Sequence, residues 1–303
     1  MKDRKASIIG YLLRQIMDNL TDTSLGQPIQ KGTFRQHPVE PPWRCPKGYL
    51  HDKLEYKNFV IEVVKPEVNP RHRVILQLHG GGYIGPMKNI YRKFAARYSR
   101  ISRGAMVVTI DYRVAPEYPF PAALDDAVAA YEWIVNQGFK ENDIIVAGDS
   151  AGGGLALALG LYIRDNGMKM PAAFVTMSPW TDLTNSGISY KDNYEIDPLF
   201  GKSNDSMLFN SSYIGDNDPE NCYISPMFGE FDGFSPMLIQ VGTHEVLLSD
   251  SKAVAGKAEA AGVDVKLSIY EGMFHVFQML GDFIPESKEA WEEVQIFINK
   301  IWP

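Results

Sequence analysis

Cysteine is scarce in this chain, and neither a long apolar run nor an excess of basic charge is present. The two cysteines among 303 residues, Cys45 and Cys222, offer no metal-binding spacing and no disulfide framework. No stretch approaches the length of a membrane-spanning helix. The formal net charge is −7, so the chain lacks the basic surface that binding to nucleic acid requires. We therefore expect a reduced, cytoplasmic globular protein with no nucleic-acid or membrane partner.

The first 48 residues differ in composition from the rest of the chain. Apolar residues between positions 7 and 20 recur at helical spacing and are interrupted by Arg14 and Asp18. This pattern predicts an amphipathic helix rather than a signal peptide. The proline-rich stretch at 38–46 that follows is incompatible with a helix or a central strand. We expect residues 1–48 to form a helical cap over the body of the protein, residues 49–303.

From about residue 58 onwards, short apolar stretches alternate with helical patterns. The predicted strands are 58–64, 74–78, 106–110, 144–147, 172–177, 237–241 and 263–269, and the predicted helices between and after them are 92–102, 122–137, 154–165, 249–261 and 286–301. This alternation predicts an α/β fold with a largely parallel sheet covered by helices on both faces. The last strand alternates strictly between apolar and polar residues, which places it at a sheet edge. The long insertion at 184–232, with a predicted helical piece at 207–213, is expected to be a lid or a pocket wall.

The segment Gly148-Asp-Ser-Ala-Gly152 lies between a predicted strand and a predicted helix. This is the setting of the G-x-S-x-G motif, in which a serine occupies a sharp strand-to-helix turn. The two glycines lack the Cβ atoms that would clash at such a corner, and the helix N-terminus provides free N–H groups. We predict Ser150 as a nucleophile. Because the pentapeptide also occurs in ordinary Gly- and Ser-rich turns, the prediction depends on finding a base and an acid.

The base and the acid should follow the serine along the chain, in the order serine, acid, histidine. Only His244 and His275 of the six histidines come after Ser150. His275 follows the last predicted strand, in a loop at the carboxyl end of the sheet, and is predicted as the base. Glu245 follows the sixth strand and is predicted as the acid. We interpret His244 as a flanking residue and Asp250 as part of the first turn of the next helix.

A second glycine-rich motif, His79-Gly-Gly-Gly-Tyr83, follows the predicted 74–78 strand. It lacks the Gly-Lys-Ser/Thr sequence of a phosphate-binding loop. It matches instead the type of loop whose backbone N–H groups stabilise an oxyanion. The candidate donors are the N–H groups of Gly81, Gly82 and Ala151, and loss of one such donor typically costs about 3 kcal/mol of transition-state stabilisation.

With these motifs, the chain resembles the bacterial carboxylesterases of the hormone-sensitive-lipase-like branch of the α/β-hydrolases. The resemblance extends from about residue 74 to 277 and includes the blocks Asp111-Tyr-Arg-Val-Ala-Pro-Glu117, Pro119-Phe-Pro-Ala-Ala-Leu-Asp-Asp126, Ser178-Pro-Trp-Thr-Asp182 and Ser225-Pro-Met. It implies an α/β-hydrolase fold of about eight strands, in which a catalytic domain of residues 49–303 carries an N-terminal cap. It also implies Ser150, Glu245 and His275 as the catalytic triad. Many relatives have an aspartate in an Asp-Pro-Leu context at the acid position, where this chain has Glu245-Val-Leu.

The reaction implied by these residues is hydrolysis of short-chain acyl esters through an acyl-enzyme intermediate, with no metal or organic cofactor. Deacetylation of acetylated sugars, or of other small acetyl esters, remains an open alternative. A peptidase with the same triad is less favoured, because no feature of the sequence indicates a peptide groove. Plant gibberellin receptors keep similar glycine motifs but lack the catalytic histidine, whereas this chain has His275.

The expected partner is therefore a small-molecule ester, and the resemblance also suggests a homodimer joined through a sheet edge. Six residues near the motifs are candidates for the substrate pocket, although each is as consistent with core or lid packing. They are Tyr83, Trp180, Phe209, Tyr213, Val246 and Phe277.

Overall fold

The chain folds around a single eight-stranded sheet. The computed structural model describes residues 6–21, 40–203 and 206–303. The strands are β1 (Tyr49–Tyr56), β2 (Phe59–Pro66), β3 (Val74–Leu78), β4 (Met106–Asp111), β5 (Ile144–Asp149), β6 (Ala173–Met177), β7 (Met237–Gly242) and β8 (Val265–Tyr270). Their order across the sheet is β1-β2-β4-β3-β5-β6-β7-β8. The β1–β2 and β2–β4 pairs are antiparallel and the five others are parallel, which confirms the mostly parallel sheet.

Helices cover both faces of this sheet. They are α1 (Ile8–Thr21), α2 (Asn89–Ile101), α3 (Ala122–Asn136), α4 (Ala151–Asp165), α5 (Ser189–Asp192), α6 (Leu248–Ala260) and α7 (Pro285–Ile301). Single 3-10 turns lie at Glu141–Asp143 and Pro226–Phe228, and a longer 3-10 segment at Phe277–Phe283.

The alternation of side chains along each strand explains why two hydrophobic cores form. In β3, Val74, Leu76 and Leu78 face a core shared with α3, α4 and α6. Ile75 points to the opposite face, where it joins a core shared with α2 and α7. A strand that is buried on both faces needs mostly apolar residues, and this requirement explains the nearly continuous apolar runs in the sequence.

The predicted strands and helices agree with the structure in type and place, apart from two segments. Strand β1 was not expected, because it lies at the sheet edge, where none of its residues is buried and most are exposed. The helix predicted at 207–213 is wrong: the segment forms turns, and the short helix α5 lies earlier in the insertion. Ser206 and Ser211 accept hydrogen bonds from the N–H groups of Leu208 and Tyr213, and such local bonds compete with a helix.

The N-terminal helix α1 packs on the segment that carries His275. Leu13 and Met17 contact a small apolar cluster that includes Tyr270, Phe274 and Phe277. Arg14 donates a hydrogen bond of 3.0 Å to the Gly272 carbonyl oxygen. The division into a cap of residues 1–48 and a domain of residues 49–303 stays a prediction, and positions 1–5 and 22–39 of that cap lie outside the described residues. Among the described residues, no helix is long and apolar enough to cross a membrane.

Candidate active site

Ser150 occupies the corner between β5 and α4, and its backbone is strained. Its φ is +54° and its ψ −125°, a region that a residue with a Cβ atom seldom adopts. A Cβ atom on Gly148 would lie 2.2 Å from the Gly152 carbonyl oxygen, and one on Gly152 would lie 2.1 Å from the Leu78 carbonyl oxygen. Both glycines of the motif are therefore required by close backbone approach, as the sequence predicted.

The structure brings together the three side chains that the sequence singled out. The Nε2 atom of His275 lies 2.8 Å from the Oγ atom of Ser150, and the Nδ1 atom lies 3.1 Å from Oε2 of Glu245. Ser150 and His275 are each 5 % exposed, and Glu245 is fully buried. A hydroxyl, an imidazole and a carboxylate are thus joined in one hydrogen-bonded chain, which is the arrangement that activates a serine for nucleophilic attack.

The second carboxylate oxygen of Glu245 is also occupied. Its Oε1 atom accepts hydrogen bonds from the Ser178 hydroxyl at 2.9 Å and from the Gly242 N–H at 2.5 Å. The Ser178 oxygen in turn accepts a bond of 3.1 Å from the N–H of Val276, the residue after His275. Ser178 therefore links the acid to the backbone beside the base. Ser178 begins the block Ser178-Pro-Trp-Thr-Asp182, and the sequence alone predicts no role for it.

The glycine-rich loop after β3 lies against the nucleophile corner. A Cβ atom on Gly80 would lie 3.0 Å from the Cβ of Ser150 and 2.4 Å from Oδ2 of Asp149. Gly81 and Gly82 have φ values of +139° and +65°, which favour glycine. Within the part of the chain that the structure describes, the N–H groups of Gly81, Gly82 and Ala151 make no hydrogen bond. Three backbone donors close to Ser150 are thus available to a ligand.

Side chains around this loop hold it in place, and they explain two sequence blocks. Asp149 accepts a hydrogen bond of 3.3 Å from the Gly80 N–H, so the variable residue of the G-x-S-x-G motif fastens the loop. The Tyr112 hydroxyl donates to the His79 carbonyl oxygen at 2.6 Å, and the two rings stack with centroids 4.1 Å apart. Arg113 in turn pairs with Asp126 at 2.8 Å. Within the Asp-Tyr-Arg block, Tyr112 therefore supports the loop, and Arg113 ties the block to α3.

The two residues that the sequence analysis kept out of the triad lie apart from it. His244 contacts the Thr243 hydroxyl at 3.0 Å, and burial lowers the pKa of its imidazole. Asp250 lies in the first turn of α6, as predicted. It does not serve the helix dipole at the surface, because its buried Oδ2 accepts hydrogen bonds from the N–H groups of Thr181 and Asp182 at 2.8 and 2.9 Å. Burial raises the pKa of this carboxyl well above its usual range.

The six pocket candidates divide into core residues and one half-buried residue. Five have at most 1 % of their surface exposed and pack within the hydrophobic cores; they are Tyr83, Trp180, Tyr213, Val246 and Phe277. Tyr83 and Tyr213, for example, stack with ring centroids 3.8 Å apart. Phe209 keeps some exposed surface and touches the rings of Tyr190 and Tyr194. In this conformation, Phe209 alone of the six offers a surface that a ligand can contact.

Comparison with known proteins shows the family of this chain. A family described as having the alpha/beta hydrolase fold matches residues 75–279. An esterase of Acinetobacter venetianus is 36 % identical over 230 residues, which cover 76 % of this chain and 75 % of the relative. An acetyl-hydrolase of Streptomyces hygroscopicus is 38 % identical over 227 residues, which cover 75 % of each chain.

Solved structures extend the similarity to almost the whole chain. An esterase/lipase from an uncultured bacterium superposes with a TM-score of 0.84 at 33 % identity and covers 98 % of this chain and 99 % of its own. An esterase from the bacterial hormone-sensitive lipase family has the same TM-score and coverage at 31 % identity. The similarity therefore includes the N-terminal helix as well as the matched 75–279 region.

Proposed function

We propose a reaction for this chain, which belongs to the α/β-hydrolases and, within them, to the hormone-sensitive-lipase-like bacterial carboxylesterases. The protein is a carboxylic ester hydrolase. The Ser150 oxygen attacks the ester carbonyl carbon while Nε2 of His275 takes the hydroxyl proton. His275 then gives that proton to the departing alcohol, which leaves an acyl group on Ser150.

Water completes the reaction in a second step. His275 removes a proton from a water molecule, whose oxygen attacks the acyl carbon, and the carboxylic acid leaves as Ser150 regains its proton. Glu245 holds the imidazole in the required tautomer and stabilises its charged form. The N–H groups of Gly81, Gly82 and Ala151 are proposed to stabilise the oxyanion in both steps.

The observation that carries this proposal is the continuous chain of hydrogen bonds from Ser150 through His275 to Glu245, with distances of 2.8 and 3.1 Å. The first distance allows the proton of Ser150 to pass to His275 without rearrangement of the site, and the second allows Glu245 to hold the imidazole. The strained φ of Ser150 supports the same proposal, because backbone strain of this kind is retained where a function requires it.

We propose short acyl esters as the substrate class, with Phe209 beside the acyl chain. The half-buried ring of Phe209 and the nearly closed surroundings of Ser150 favour a small acyl group. Deacetylation of small acetyl esters is the second candidate, and the similarity to the Streptomyces acetyl-hydrolase is what favours it.

Rates on p-nitrophenyl esters of increasing acyl length, measured beside acetylated sugars, test the proposal. We expect kcat/KM to be highest for acetyl to butyryl esters, and Ser150→Ala to lose about 10⁴-fold or more of the activity. Retained activity in Ser150→Ala would contradict the mechanism. A higher kcat/KM on sugar acetates than on the short p-nitrophenyl esters would favour the deacetylase.

We also propose a cytoplasmic location and a homodimer. Cys45 and Cys222 are both free thiols, which suits a reducing compartment. Strand β8 lies at the sheet edge with half of its residues only partly buried, and such an edge can pair with a second copy. Light scattering measures the mass in solution, and a value of about 34 kDa, that of one chain, would contradict the dimer.

A further inference from the structure

Part of the insertion between β6 and β7 is bonded to the loop that carries Glu245. Three buried polar side chains, spaced four residues apart, bind the backbone of Glu245 and of the next residue, Val246. The Ser189 hydroxyl donates to the Val246 carbonyl oxygen at 2.5 Å. The Asn193 amide donates to the Glu245 carbonyl oxygen at 2.6 Å, and Oδ2 of Asp197 accepts from the Val246 N–H at 2.8 Å. This segment therefore fixes the acid loop, in addition to any part that the insertion plays as a lid.

Asp197 differs from Ser189 and Asn193 because it also positions a ring that contacts the base, His275. Its second oxygen, Oδ1, accepts hydrogen bonds from the N–H groups of Leu199 and Phe200 at 2.8 and 3.0 Å. These bonds close a turn that places the Phe200 ring edge-on to the His275 imidazole, with centroids 4.9 Å apart and an angle of 77° between the planes. One buried carboxylate thus connects the backbone beside the acid with a ring that contacts the base.

The chemistry of these bonds requires a carboxylate at position 197. All three neighbours are N–H donors, so both oxygens must act as acceptors. An asparagine of the same shape would direct its NH₂ group at one of these donors and lose that contact. Hydrogen bonds to an ionised acceptor are also stronger than those to a neutral one. Only 1 % of the side chain is exposed, so water cannot replace a lost partner.

We propose that Asp197 is a positioning residue of the esterase site: it holds Glu245 through the Val246 N–H and orients His275 through the Phe200 ring. This inference rests on the proposed triad. Asp197 touches neither substrate nor the reacting atoms, and its effect on the rate is transmitted through these two contacts.

The test compares Asp197→Asn with Asp192→Asn, an exposed carboxylate in the same segment. The concentration of active enzyme is fixed by titration with a serine-directed phosphonate, so that a misfolded fraction does not count as a lower rate. We expect kcat of Asp197→Asn on p-nitrophenyl acetate to fall about 10- to 100-fold with KM changed less than about 3-fold. The Asp192→Asn control should keep the parental values.

A second variant keeps the test decisive if Asp197→Asn folds poorly. Phe200→Leu retains an apolar side chain but removes the ring from His275, and should lower kcat about 3- to 10-fold. Since both changes act on the same base, their effects should be less than additive in the double variant. Parental kcat in titrated Asp197→Asn, or full additivity in the double variant, would overturn the inference. Activity in Ser150→Ala would instead overturn the proposed function, whatever Asp197 does.

Discussion

The nucleophile corner and the acid loop contribute to one site, but they are built in different ways. Ser150 is held by its immediate neighbours, because Gly148 and Gly152 allow backbone atoms to approach where a Cβ atom would clash. Glu245 is held by side chains distant in sequence. Ser178 lies 67 residues before it, and Asp197 binds the next residue from 49 positions away.

This difference indicates which kind of substitution should disturb each part of the site. The corner depends on the absence of side-chain atoms, so its requirements are steric and local. The acid loop depends on matched donors and acceptors, so its requirements are electrostatic and involve several elements. Changes at the corner should therefore affect folding, whereas changes around the acid should affect the rate more than the stability.

The largest effect on the acid side is expected from Glu245→Gln. A glutamine keeps the shape but cannot hold the imidazole in the tautomer that accepts the serine proton, and kcat should fall by roughly 10⁴-fold. The matched control is Asp250→Asn, which should stay within a few-fold of the parent. Asp250 accepts hydrogen bonds from the N–H groups of Thr181 and Asp182, whereas the hydrogen bond to Nδ1 of His275 comes from Glu245. A larger loss in Asp250→Asn than in Glu245→Gln would show that Asp250 is the acid.

The next effect concerns the corner, through Gly152→Ala. Its new Cβ atom would lie 2.1 Å from the Leu78 carbonyl oxygen, so α4 must move relative to β3 and the free energy of unfolding should fall by about 3 kcal/mol or more. Gly256→Ala is the control, because Gly256 is exposed in α6 and a Cβ atom there meets nothing within 4 Å. It should stabilise the protein by up to about 1 kcal/mol. Urea unfolding measures the free energy of unfolding of both variants. Equal values for the two would contradict the claim that close backbone approach requires a glycine at position 152.

The smallest effect is a dependence of the free energy of unfolding on pH, caused by Asp197 beside the acid loop. Burial is the main cause that raises the pKa of this carboxyl from 3.8 to about 6, and the charge of Glu245 adds to it. Between pH 3.8 and about 6, Asp197 of the folded protein binds its proton more tightly than Asp197 of the unfolded chain. The contribution of Asp197 to the free energy of unfolding therefore falls as the pH rises through this range. From pH 5 to pH 7, wild type should lose about 1 kcal/mol relative to Asp197→Asn. A difference in unfolding free energy that stays constant over this range would contradict the shifted pKa.

The same contrast explains what could be predicted from the sequence. Local signals located the strands, the helices, the Ser150 corner and the glycine-rich loop, because close backbone approach and alternating burial leave their pattern in adjacent residues. The order along the chain then selected Glu245 and His275, and the structure brings both to hydrogen-bond distance.

The supports of the site could not be predicted in this way. Ser178, Asn193 and Asp197 act through hydrogen bonds to groups of the acid loop that only the folded chain brings near. Asp149 was visible as the second residue of Gly-Asp-Ser-Ala-Gly, yet its bond to Gly80 depends on how β3 and β5 pair. Strand β1 escaped detection for a different reason: an exposed edge strand does not need the apolar alternation by which strands are recognised.

The central claim is that Ser150 is the nucleophile, and covalent trapping tests it most directly. The enzyme is incubated with a p-nitrophenyl phosphonate ester, and the released p-nitrophenol, the remaining activity and the mass of each peptide are followed together. We expect one equivalent of p-nitrophenol per active site, activity lost in the same proportion, and the added mass on Ser150 alone. A label on another residue that accompanies the loss of activity, or equal labelling of Ser150→Ala, would contradict the claim.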